Sequence, residues 1–173
     1  MIRHTIAVAI LALGVASCSD KPTPTAPSTE NTIKFTATLS AASEVPPVSN
    51  AEAGAGGSVN ITFNLTRDAS GNITAATADF STTLNGFPAG TGLTAAHIHP
   101  GFSGLTGGVA VNTGLASGEV TLGNGSGSFT KNGATVTLDQ AAGVIANPAG
   151  FYFNVHTALN PGGAVRGQLS RVP

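Results

Sequence analysis

Two stretches of strict apolar–polar alternation limit what this chain can become. Ile33, Phe35, Ala37 and Leu39 alternate with Lys34, Thr36, Thr38 and Ser40; Val59, Ile61, Phe63 and Leu65 alternate with Asn60, Thr62, Asn64 and Thr66. Successive side chains on a strand point to opposite faces, so a period of two describes strands with one face in a core and the other in water. The remaining composition agrees: 23 glycines, 41% apolar residues and only 9% charged ones over 173 residues suit short strands joined by tight turns in one domain. The expected fold is all-β, an antiparallel β-sandwich or barrel with one short helix.

The punctuation can be read along the chain. Glu44-Val45-Pro46-Pro47 ends the first strand, because neither proline can donate to a ladder. Asp68-Ala69-Ser70-Gly71-Asn72 reads as a hairpin turn into a return strand from Ile73 to about Thr82, with a loop over Leu84–Gly90. A strand over roughly 93–99 precedes a loop that holds four glycines between Gly101 and Gly108, and Val109–Asn112 is a short strand. Glu119–Leu122 and Ser126–Lys131 are expected to pair across Gly123-Asn124-Gly125. Thr137 and Gln140 form a capping box for a helix through about Ala146, stopped by Asn147-Pro148. Phe151–His156 and Ala164–Leu169 make a final hairpin.

The first 18 residues read as an export signal. Arg3 and His4 precede an apolar run from Ile6 to Val15, too short to span a bilayer, which ends in Val15-Ala16-Ser17-Cys18. Small residues leading to a cysteine resemble the bacterial lipobox, so Cys18 is the expected lipidation site and the mature N-terminus. Localisation in the cell envelope follows, with the membrane as a partner through the anchor. Ser19 after Cys18 resembles sorting to the outer membrane of a Gram-negative cell. Residues 19–32 are a Pro/Ser/Thr-rich tether reaching up to about 40 Å, and 33–173 the folded domain.

Removal of the leader leaves six Lys+Arg against eight Asp+Glu, a net charge near −2. No basic footprint for nucleic acid exists. Met1 and His4 leave with the leader, and Cys18 is the only cysteine, so no thiolate or thioether ligand remains in the domain.

Three histidines remain, all in two stretches: Ala95-Ala96-His97-Ile98-His99-Pro100-Gly101 and Phe151-Tyr152-Phe153-Asn154-Val155-His156. On strands, His97 and His99 share a face while Ile98 turns to the core; Phe151, Phe153 and Val155 likewise turn inward and leave His156 outside. The expected cluster lies on the outer face, under the glycine-rich loop. Imidazole-only ligation favours copper, with zinc the alternative. Arg166 falls on the outer face of the strand paired with His156, where it can attract an anion or lock a loop. Glu44 is a candidate partner for Arg166 or acceptor for a ligand N–H. No G-x-S-x-G nucleophile motif and no phosphate loop occur, so no catalytic residue is assigned.

With these residues in place, the chain resembles the chordin-type (CHRD) domain. The matching text is F-T-A-T-L-S-A-A-S-E-V-P-P-V at 35–48, T-A-A-H-I-H-P-G at 94–101, G-G-V-A-V at 107–111 and F-Y-F-N-V-H-T-A-L-N-P-G-G-A-V-R-G-Q-L at 151–169. Ala164 departs from it, since the family often carries an acidic residue there. The resemblance implies an all-β extracytoplasmic module, without a settled activity. The order H-x-H, then V-H, then a glycine-flanked arginine is also similar to the copper site of Cu,Zn superoxide dismutase. That likeness implies a superoxide-dismutase-like Greek key, copper on His97, His99 and His156, and Arg166 as an anion guide. The chain lacks the zinc-bridging histidine, the zinc loop and the disulfide, so the likeness favours copper binding over dismutation. The expectation is a lipid-anchored module binding copper without catalysis. Its alternatives are a metal-free interaction module with an unidentified protein partner, and a superoxide-dismutase-like redox enzyme.

Overall fold

The structure, a computed structural model, describes residues 30–173, so Cys18, the leader and most of the tether lie outside the described residues. The elements are β1 (Thr32–Ser40), β2 (Gly56–Arg67), β3 (Ile73–Asn85), β4 (Thr91–Pro100), β5 (Val111–Asn112), β6 (Thr121–Leu122), β7 (Gly127–Val136), α1 (Leu138–Ala146), β8 (Phe151–Thr157), β9 (Val165–Gln168) and β10 (Ser170–Arg171). All strand pairs are antiparallel, in the order β5-β4-β8-β9-β1-β2-β3-β7, with β6 on β4 and β10 on β1. The two ends of this order, β5 and β7, approach each other and nearly close the sheet into a barrel. Gln140 of α1 braces the seam by donating to the Ala110 carbonyl. Late in the chain, β8 returns to pair with β4 on the side away from β5.

The alternating strands behave as their sequence dictates. Ile33, Phe35, Ala37 and Leu39 of β1 and Val59, Ile61, Phe63 and Leu65 of β2 are buried, with Ile33 opposite Phe63, Phe35 opposite Ile61 and Ala37 opposite Val59. Phe35 and Phe63 meet edge to face at 5.2 Å; Phe80 of β3 stacks on Phe153 of β8 at 5.8 Å across the barrel. Asp68 accepts from the backbone of Ser70 and Asn72 and closes the β2–β3 turn, after which β3 runs to Asn85, three residues past the expected end. The capping box of α1 forms as read, with Thr137 and Gln140 exchanging hydrogen bonds.

One pairing differs from expectation. Thr121–Leu122 does not pair with the strand after Gly125; it pairs with Thr91 and Gly92 of β4, while β7 pairs with β3. Leu122 is fully buried, and the turn after it is held on the 87–90 segment by Phe87 N to Gly125 O and Gly90 N to Leu122 O. Burying that leucine against β4 outweighs the local hairpin. The strand β1 also starts earlier than the 19–32 tether allows, because Leu65 N donates to Asn31 O and the ladder begins at Thr32.

Candidate metal centre

A bulge in β4 sets the direction of the first two histidines. Leu93 is buried in the barrel, and strict alternation from it would send Ala95, His97 and His99 inward as well. The register slips between Leu93 and Ala95, so that Leu93 faces Thr157 while Ala95 faces His156. The slip turns Ala96 and Ile98 into the core and His97 and His99 outward. On β8, Phe153 and Val155 face the core, and Tyr152, Asn154 and His156 take the other face. On β9, Arg166 and Gln168 do the same.

The three imidazoles come together. His97 Nδ1 lies 3.2 Å from His156 Nε2, and one ring nitrogen from each of His97, His99 and His156 falls within 4.8 Å of the others. Nitrogens bound to one ion at 2.0–2.1 Å sit about 3.3–3.6 Å apart in trigonal or tetrahedral geometry. The His97–His156 pair is close to that spacing, and a His99 nitrogen lies within 4.8 Å of both. The other ring nitrogens are anchored by backbone: His99 Nδ1 lies 3.0 Å from Gly107 O, and His156 Nδ1 lies 3.0 Å from Pro161 O. A carbonyl only accepts, so each Nδ1 carries the proton and each Nε2 turns a lone pair into the cluster. His99 Nε2 is buried there without a partner. The donor set therefore fits an ion that prefers neutral imidazole.

Burial favours the neutral form of two of the imidazoles, those of His97 and His156. Burial, reinforced by repulsion from His156 and His99, pushes His97 down to about 4. Burial also lowers His156, against the opposing bond to Pro161 O. Neutral imidazole is the form that binds metals.

The histidine face lies outside the barrel, against the glycine-rich loop, and is largely out of water. His99 and His156 are buried, and His97 is half-buried. The 101–110 loop forms a roof, and Arg166 holds it. Its guanidinium donates to Leu105 O at 3.0 Å, to Phe102 O and to Gln168 Oε1, and lies 3.5 Å from the centre of the Tyr152 ring. Tyr152 in turn stacks on His99 at 5.1 Å. Since β8 lies between β4 and β9, these side chains form one layered stack of imidazole, phenol and guanidinium. Of the two roles open to Arg166, the geometry displays the loop lock; its side chain is 1% exposed, and it faces carbonyls rather than an open anion path. Gly107 is required here, because a Cβ would run into Pro100 O beneath the roof.

Glu44 is not the acceptor for a ligand N–H, and it feels the Arg166 charge without forming a direct ion pair with it. Among the described residues the ion pairs are Lys131–Glu119 and Arg171–Glu30, and the acceptors for His99 and His156 are Gly107 O and Pro161 O. Glu44 lies instead under Gly163, where a Cβ would come within 2.6 Å of both carboxylate oxygens. Burial pushes its carboxyl up to about 7, against the pull of Arg166 and a hydrogen bond from Asn154. Tyr152 and Asn154 are the site neighbours that sequence reasoning passed over. The period of two that put His156 outside puts both of them on the same face.

The fold and this face define an all-β barrel domain with a roofed tri-imidazole cluster. The chain belongs to the CHRD domain family: the family model matches residues 35–169, most of the chain and all of the site. Comparisons with curated proteins and with solved structures gave no match.

Proposed function

We propose that this protein is an exported, lipid-anchored module of the cell envelope that binds one copper ion through His97, His99 and His156, in a binding role without catalysis. The observation that carries the reading is the convergence of three imidazole nitrogens within 4.8 Å, with two of the rings held by backbone carbonyls. Copper is favoured over zinc because the donor set is nitrogen only, and the domain has no thiolate. Anchoring rests on the apolar leader ending in Cys18. Titration of the purified domain with Cu(II) and Zn(II) tests the reading. One equivalent of Cu(II) should bind more tightly than Zn(II), and at a hundredfold excess over Kd should raise stability by about 2.7 kcal/mol. The His97→Ala/His99→Ala/His156→Ala variant should lose both effects. Equal copper affinity in the variant would overturn the reading.

A second reading has one observation in its favour. The roof exposes Phe102, Leu105 and Val109, each more than half exposed, which suits a surface for a protein partner. Under that reading the triple histidine variant keeps the partner and a Phe102→Ser/Leu105→Ser variant loses it.

A further inference from the structure

Buried polar atoms without partners are rare, and each one asks for an explanation. Among the described residues four occur, and three belong to the roofed face: His99 Nε2, Asn154 Oδ1 and Glu44 Oε1. The first is a ligand atom of the proposed centre. The other two are oxygens of neighbouring side chains, since the Asn154 amide already donates to the Glu44 carboxyl. One proton resolves both. A carboxylic acid and a primary amide pair in a ring, with N–H donating one way and O–H the other. A proton on Glu44 Oε1, donated to Asn154 Oδ1, leaves neither oxygen orphaned.

Asn154 links this pair to the histidines. It stands directly across from His97 on β4 and from Arg166 on β9, two residues from His156. On its other side Glu44 borders a groove of about 310 Å³, lined by Pro46, Asn50, Asn160, Pro161 and Gly163. Three neutral imidazoles leave the charge of a divalent ion uncompensated in a buried setting. The charged and titratable groups around Glu44 are Arg166 and, beyond Asn154, His97 and His156. The other buried acid, Glu52, accepts from Thr157 Oγ1 at 2.7 Å and from Asn160 Nδ2. Glu44 is therefore the acid placed to supply the missing negative charge.

We propose that Glu44 is the switchable counter-charge of the three-histidine centre, a neutral acid paired with Asn154 when the centre is empty and a carboxylate when a divalent cation fills it. The O–H bond of Glu44 breaks, its electron pair stays on Oε1, and the proton leaves to solvent through the groove. No electron changes hands. The upward displacement of the Glu44 carboxyl agrees with a proton held near neutrality.

The inference rests on the metal-binding reading, and its test separates the two. Calorimetric titration with Cu(II) at about pH 6, repeated in buffers of different ionisation enthalpy, counts the protons released per ion. The wild type should release about one proton more than the Glu44→Gln variant, because both proteins keep the same three histidines and differ only in the acid. Above pH 7 the variant should bind Cu(II) about tenfold more weakly than wild type. Equal proton release by both proteins would overturn the proposal. The infrared C=O band of a protonated carboxyl, present in the metal-free wild type at pH 6 and absent in Glu44→Gln, reports on Glu44 without any metal. Its absence from wild type would also overturn the proposal, whereas a failure of the wild type to bind Cu(II) with the band intact would strike the metal-binding reading instead.

Discussion

The outer surface of this barrel comes in two kinds. Along β1, β2 and β3 it carries mainly Thr, Ser and Asn, exposed or half-exposed, and alternation between inside and outside holds over most of their length. Along β4, β8 and β9 the outward side chains are imidazole, phenol, amide and guanidinium, and the 101–110 and 159–163 segments cover them; six consecutive residues of β8 are buried. The first surface needs nothing beyond a polar side chain. On the second, each polar atom must find a partner or remain an uncompensated burial of about 1–3 kcal/mol. Stability alone would place apolar residues under such a roof. The polar layer is better understood as the reason the roof exists.

That contrast is sharpest between the shared interior and either outside. Phe63→Ala removes an aromatic side chain from the barrel core beside Phe35, and should lower the unfolding free energy by about 3–5 kcal/mol in denaturant titration. The loss should be equal with and without Cu(II), since β2 takes no part in the centre. A metal-dependent loss would mean that the interior and the histidine face are not separate.

Arg166→Met tests the roofed side. The substitution keeps much of the side-chain volume but orphans the Leu105 and Phe102 carbonyls, at a cost of about 2–3 kcal/mol. Amide exchange should speed up in residues 101–110 and stay unchanged in β1–β3. Arg166→Lys should not restore protection, because one ammonium cannot reproduce the flat fork that spans the carbonyls and lies on Tyr152. Uniform acceleration across the barrel would show that Arg166 supports the fold as a whole.

What the sequence disclosed follows the range of the forces involved. The β1 and β2 strands, the Asp68 turn and the Thr137–Gln140 cap depend on neighbours a few residues away, and each was legible. The histidine cluster was legible too, since a period of two and two short strands suffice to bring His97, His99 and His156 to one face. Three things were not. The β4 bulge appears only when Leu93 and Ile98 are both required to be buried. The pairing of Thr121–Leu122 with β4 is decided by where a single leucine finds a pocket. The roof depends on Arg166 reaching more than fifty residues back in the chain to Leu105 and Phe102, a contact no local pattern encodes.

The smallest effect belongs to the open side, and it calibrates the others. Asn60 stands on β2 opposite Thr36 and Ser81, exposed, with no side-chain partner needed to satisfy it beyond water. Asn60→Thr should change stability by no more than about 0.5 kcal/mol, because threonine is the better strand former and both residues are hydrated there. The same exchange at Asn154, which also points outward from its strand, takes a hydrogen bond from Glu44 and leaves that carboxyl without its amide. Two asparagines on one sheet thus isolate the variable that separates the faces, which is access to water. If Asn60→Thr proved as costly as Arg166→Met in the same denaturant titration, the open face would be under constraints of its own and the division of the barrel into two kinds of surface would fail.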